Sequence, residues 1–202
     1  MELNFDIFDE ELITYNGNVV MTKREEPYFD CLFSSLKKLK PRTVLEIGYG
    51  LGISAFFIQK YFNPDSHVIF EIEDKIGEKA NLFSLNYSNV EVNIDNWVNI
   101  NNSIKFDFIF FDPFDYSECQ HLSREKTSEK LKKLLKKNGV LSHPHFGDGD
   151  ASEFTGFNTS IIERFKISPF ETGDGVICED VAIVIRCRKE DDIDNIILKI
   201  NS

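Results

Sequence analysis

The sequence predicts an α/β fold: a doubly wound, seven-stranded, mostly parallel sheet finished by an antiparallel C-terminal hairpin. Three observations carry this. An apolar run with one acid, Thr43-Val44-Leu45-Glu46-Ile47, leads into glycines at 48, 50 and 52. Strand and helix patterns then alternate as far as Ser142, which implies a parallel sheet covered on both faces. Two further strand patterns follow near 165–171 and 180–188 with no helix between them, so they should pair antiparallel.

Taken in order, residues 1–40 read as a helical N-terminal cover for the site, and 41–202 as the core domain. Within the cover, Tyr28, Phe29, Leu32, Phe33, Leu36 and Leu39 have the spacing of an amphipathic helix that closes before Pro41. Strand one lies near 43–48 and its helix near 52–62. Strand two is 67–71, with a helix near 74–85. Strand three is 90–94, and strand four is 106–111 with Asp112 at its end. The basic run Lys130 to Lys137 holds Leu131, Leu134 and Leu135 at helical spacing and reads as a solvated helix face stopping at Asn138-Gly139. Strand five is 139–142. A Gly-rich loop, Thr172-Gly173-Asp174-Gly175, joins the last two strands.

Composition narrows the function. The 202 residues suit a single α/β domain, and nineteen phenylalanines supply bulky core material. A net charge of −11, from 34 acidic and 23 basic residues, argues against a nucleic-acid partner and favours small cations. No apolar run approaches the ~20 residues of a membrane span. An acidic N-terminus, Met1-Glu2-Leu3-Asn4-Phe5-Asp6, is unlike a signal peptide, so a cytoplasmic location is expected. Cys31, Cys119, Cys178 and Cys187 are too scattered for a zinc site or a disulfide framework. The sequence leaves a homodimer open.

Open α/β sheets bind ligands outside the carboxyl ends of their strands. A dinucleotide fingerprint wants its third glycine where this chain has Ile53. The observed E-x-G-x-G-x-G, Glu46 with Gly48, Gly50 and Gly52, instead resembles motif I of the class I S-adenosylmethionine (SAM) methyltransferases. Glu71 ends strand two, where a carboxylate can accept hydrogen bonds from both ribose hydroxyls. Asn96 and Trp97 follow strand three, where an aromatic or backbone contact to adenine fits.

A narrower match then appears. Met21-Thr22-Lys23-Arg24-Glu25-Glu26-Pro27-Tyr28, the glycine motif, His67-Val68-Ile69-Phe70-Glu71, Trp97 and Phe111-Asp112-Pro113-Phe114 arrive in that order. Over residues 21–142 the chain resembles guanidinoacetate N-methyltransferase and related arginine N-methyltransferases. The resemblance implies a class I methyltransferase domain over 41–202, SAM as cofactor and a small cationic guanidino substrate. It places the substrate guanidinium between Glu25 and Asp112, which also act as the catalytic pair, and it brings Met21, Ile72, Asn96 and Asp112 to the cofactor. The backbone near Leu141 and Ser142 would face the acidic end of the substrate.

The chemistry agrees with those two acids. A guanidinium is a planar, delocalised cation that carboxylates hold well. Its nitrogens are poor nucleophiles until a carboxylate localises electron density on one of them and accepts a proton. Glu25 as a first-turn helix acid and Asp112 as a turn-starting Asp-Pro are the plainer alternatives. Arg24 and His143 join the candidate substrate contacts, since both stand where the family pattern differs. His143 and His145 lie two apart near acids, but only His67 and His121 accompany them, so no metal site is expected. Two other readings stay open: a methyltransferase of amino groups on nucleobases, from the D-P-F resemblance to a D-P-P-Y loop, and a SAM-binding protein without turnover.

Overall fold

From Thr43 onward the predicted alternation holds. The computed structural model describes every residue except 118–121 and 173–174. Cys119, His121 and the Gly173-Asp174 centre of the C-terminal loop therefore lie outside the described residues.

The N-terminal cover departs from the helical expectation. Residues 7–22 form a three-stranded antiparallel sheet of β1 (Ile7–Phe8), β2 (Leu12–Tyr15) and β3 (Asn18–Thr22). Asn16 and Gly17, both at positive φ, make the turn between β2 and β3. An Asn-Gly pair adopts that geometry at little steric cost, which suits a tight hairpin. Only then does the predicted helix begin, as α1 (Glu26–Leu36).

The main sheet is built from β4 (Thr43–Ile47), β5 (Ser66–Glu71), β6 (Val90–Ile94), β7 (Phe106–Phe111), β8 (Leu135–His143), β9 (Phe157–Glu171) and β10 (Ile177–Arg188). Their order is β6-β5-β4-β7-β8-β10-β9, parallel through β8, with β10 antiparallel to both β8 and β9. Helices α2 (Ile53–Tyr61) and α3 (Asp74–Ser84) make the first two crossovers, α4 (Arg124–Leu134) precedes β8, and α5 (Ile193–Asn201) ends the chain. Alternation along β4 sends Val44 to the face shared with α1, α2 and α5, and Leu45 and Ile47 to the face under α4. Among the described residues no helix is long and apolar enough to cross a membrane.

Two elements differ from expectation for local reasons. The basic run is not one helix. α4 stops at Leu134, and Leu135 already pairs with Phe106 of β7. Between that pair and Val140–Phe108 the register shifts, with Asn138 at positive φ, so Asn138-Gly139 form an irregularity inside β8. The second is α5, absent from the sequence reading. Its Ile193, Ile196, Ile197 and Ile200 face the core, and the side chain of Asp192 caps its N-terminus through Asp194 N and Asn195 N.

Candidate active site

Strand register brings the site together. Ile47 of β4 stands level with Phe70 of β5 and Phe111 of β7. The next residues along, Gly48, Glu71 and Asp112, therefore stand at one height at the carboxyl edge of the sheet. Two bonds continue the ladder to that edge: Gly48 N donates to Phe70 O (2.9 Å) and Asp112 N donates to Ile47 O (2.9 Å). Glu71 is level with Ile94 of β6, so Asp95, Asn96 and Trp97 follow beside it.

These ends open into a cavity of about 540 Å³. Met21, Glu25, Gly48, Gly50, Glu71, Ile72, Asn96, Trp97 and Asp112 all line it, gathering most of the residues expected at the site. Gly48 and Gly50 are needed for protein packing. A Cβ on Gly48 would strike the Asp112 carbonyl, and one on Gly50 would strike the Met21 sulfur. Both glycines are at positive φ. The Met21 thioether also accepts from Leu51 N at 3.1 Å, fastening the N-terminal sheet to the glycine loop.

Three acids give the cavity its character. Glu71 is buried and accepts three backbone N–H groups: Tyr49 (2.9 Å) on Oε2, and Ile72 (2.8 Å) and Glu73 (2.9 Å) on Oε1. Burial pushes its pKa up against the pull of those bonds. Glu25 is also buried. Its Oε1 accepts Thr22 N at 3.0 Å in a capping box, which fixes the carboxyl at the turn ahead of α1. Burial, then the charge of Asp112, push its pKa up to about 8. Asp112 is raised to about 7 by burial and then by the charge of Glu46. Among the described residues no cation pairs with Glu25 or Asp112.

Several expected contacts lie elsewhere. Glu46 is one residue short of the sheet edge and fully buried on the α2 side. Its two oxygens take the Ser54 hydroxyl and His67 Nε2 (2.8 Å). Asn89 donates to Gln59 Oε1 (3.3 Å), so Gln59 Nε2 faces His67 Nδ1 (3.0 Å), and the imidazole proton sits on Nε2 toward Glu46. Glu46 is thus a buried anchor under the glycine loop. Gly52 caps α2 in the left-handed region and lies outside the cavity wall. Leu141 and Ser142 pair with Ile109 and Phe110 of β7, too deep in the sheet to reach the cavity, and Ser142 Oγ donates to Val184 O (2.8 Å). Arg24 is exposed and outside the wall.

His143 is also outside the wall, with both ring nitrogens committed. Arg186 donates to Nε2, so the proton resides on Nδ1, which donates to Pro144 O at 2.7 Å. Burial and the Arg186 guanidinium hold its pKa down at about 4. Among the described residues no group of His, Cys, Asp and Glu could hold a metal ion.

Some wall residues escaped the sequence reading. Asn18, Val19 and Val20 of β3 close one side, and Tyr116 and Phe146 add aromatic surface. The Asn-Gly hairpin at 16–17 was the available signal for β3. Phe146 carried none.

Comparison with known proteins agrees with this geometry. A family model described as guanidinoacetate N-methyltransferase matches residues 2–153. A search of curated proteins returned no match. Among solved structures, spermidine synthase from Thermotoga maritima superposes with a TM-score of 0.63 at 16% identity, over 92% of this chain and 67% of that one. The N-methyltransferase NodS from Bradyrhizobium japonicum, in complex with S-adenosyl-L-homocysteine, gives 0.55 at 14% identity over 87% and 90%. At such identities the likeness establishes the fold. With the family match spanning most of the chain, this protein belongs to the guanidinoacetate N-methyltransferase family and is a class I SAM-dependent methyltransferase.

Proposed function

We propose that the chain methylates a nitrogen of a small guanidino compound, with Glu25 and Asp112 as the pair that holds it. The observation that carries this reading is their convergence. Two carboxyls 87 positions apart line one cavity beside Glu71, and no described cation neutralises either. Holding two acids in a partly desolvated cavity without a cation is costly, and their raised pKa values are the sign of that cost. A bound guanidinium relieves it, because a planar cation offers N–H donors to both carboxylates.

The wall also fits SAM. Glu71 retains lone pairs for ribose hydroxyls, Ile72, Asn96 and Trp97 flank the place for adenine, and the glycine-loop backbone ahead of α2 suits a carboxylate. When bound, SAM supplies a methyl group activated on a sulfonium. The protein's own part is to orient the acceptor and manage its proton. Glu25, fixed by Thr22 N, is the clamp. Asp112 localises electron density on the reacting nitrogen and takes the proton released as that nitrogen gains its methyl.

Asp112→Asn tests the assignment. SAM affinity by calorimetry should stay within about threefold, while methyl transfer to guanidines falls by about 10²–10⁴-fold, the usual worth of a general base. Turnover near that of the wild type would remove Asp112 from the mechanism.

A further inference from the structure

The two carboxyls supply only part of what a guanidinium needs. They can meet the N–H groups on its rim, but its flat faces offer no donors and are weakly hydrated. Those faces gain by lying against an aromatic ring. Phe146 offers such a ring on the same side of the cavity.

Phe146 lines the cavity together with Glu25 and Asp112, and it is only half-buried. Tyr28 locates it there. This tyrosine stands in the first turn of α1, three residues past Glu25, and its ring lies 5.3 Å from that of Phe146 with planes at 67°. Phe170 of β9 also packs on Phe146, at 5.0 Å and 81°. Backbone bonds fix the segment that carries the ring. Phe146 pairs with Val181 of β10, Ala182 N donates to His145 O (3.0 Å), and Gly147 N donates to Asp180 O (2.6 Å). The ring is therefore set in place ahead of any ligand, which spares the entropy of ordering it. Other wall aromatics are engaged elsewhere. Trp97 and Phe111 pack on each other at 5.2 Å beside the place for adenine, and Tyr116 packs on Tyr15 of β2 at 5.5 Å.

We propose that Phe146 is a specificity-determining residue: the acceptor's guanidinium lies flat on its ring while Glu25 and Asp112 hold the rim. The site thereby selects a planar cation over a tetrahedral ammonium. This rests on the guanidine reading above and deepens it. An ammonium points its N–H groups in three dimensions and holds its water more tightly, so it gains less from the ring. Stacking changes little as the methyl group transfers, so its loss belongs to binding and not to the chemical step.

The test uses Phe146→Leu, which keeps apolar bulk against Tyr28 and Phe170, in protein saturated with S-adenosylhomocysteine. Calorimetry gives the Kd of ethylguanidinium and of propylammonium, equal in charge and similar in length. The wild type should prefer ethylguanidinium, and that preference should fall at least about threefold in the variant. KM for the best acceptor among guanidinoacetate, arginine and agmatine should rise by a similar factor, with kcat within about twofold. A ring that only fills space would leave the preference unchanged, because general loosening weakens both cations alike. No preference in the wild type, or a smaller change in the preference or in KM, overturns this inference and leaves the guanidine reading standing. Should Phe146→Leu not fold, Phe146→Met carries the same expectation. A wild type that methylates none of the three guanidines while still binding SAM overturns both.

Discussion

Glu25 shows how a buried carboxyl weighs on stability. Its pKa is near 8 in the folded chain against a reference of 4.5. Between those values the unfolded chain has released a proton that the folded chain keeps, so stability falls as pH rises from about 4.5 and levels off above 8. Gln at this position cannot titrate, yet its amide oxygen can still accept Thr22 N. Glu25→Gln should therefore melt with the wild type near pH 4.5 and roughly 5–10 °C higher at pH 9, following a few kcal/mol of relieved burial. Coincident melting curves at pH 9 would show that the carboxyl is not strained. The acids at 25, 71 and 112 were legible because each stands beside a motif or a strand end. Glu46, Leu141, Ser142 and His143 were misplaced because depth along a strand and the direction of a side chain are not written in residue type. One step along β4 separates a cavity wall from a buried anchor.

Between elements, Tyr28 acts as a strut. Its hydroxyl donates to Ala182 O of β10 (3.0 Å) and accepts His145 N (3.1 Å), tying α1 to the segment after β8. Removing that oxygen leaves the part-buried His145 N–H without its partner. Tyr28→Phe should cost about 1–3 kcal/mol in denaturant melts, with SAM affinity little changed. A loss under half a kcal/mol would mean that water replaces the hydroxyl. The parallel strands and their crossover helices were readable from periodicity, since tertiary packing there agrees with local pattern. The first 22 residues were not, although Asn16-Gly17 between Ile13 and Val19 is a hairpin signal. The Leu131, Leu134 and Leu135 spacing concealed a switch from helix to strand, because both states bury Leu135.

Over the whole molecule, an excess of eleven negative charges surrounds an acid-lined cavity. Such a field speeds the arrival of cations and is screened by salt. With SAM saturating, kcat/KM for dicationic agmatine should fall several-fold between about 20 mM and 0.5 M salt, while zwitterionic guanidinoacetate stays nearly flat. Parallel salt curves would remove long-range attraction from the account. The two acids proposed to hold the substrate also stand differently toward the scaffold. Glu25 starts a helix, so a descendant that had abandoned catalysis would still have cause to retain it. The Asp112 carboxyl accepts no bond from any described residue, and its surroundings raise its pKa to about 7. Drift would erase it once turnover ceased to matter, which makes position 112 the better census mark for living enzymes among this chain's relatives.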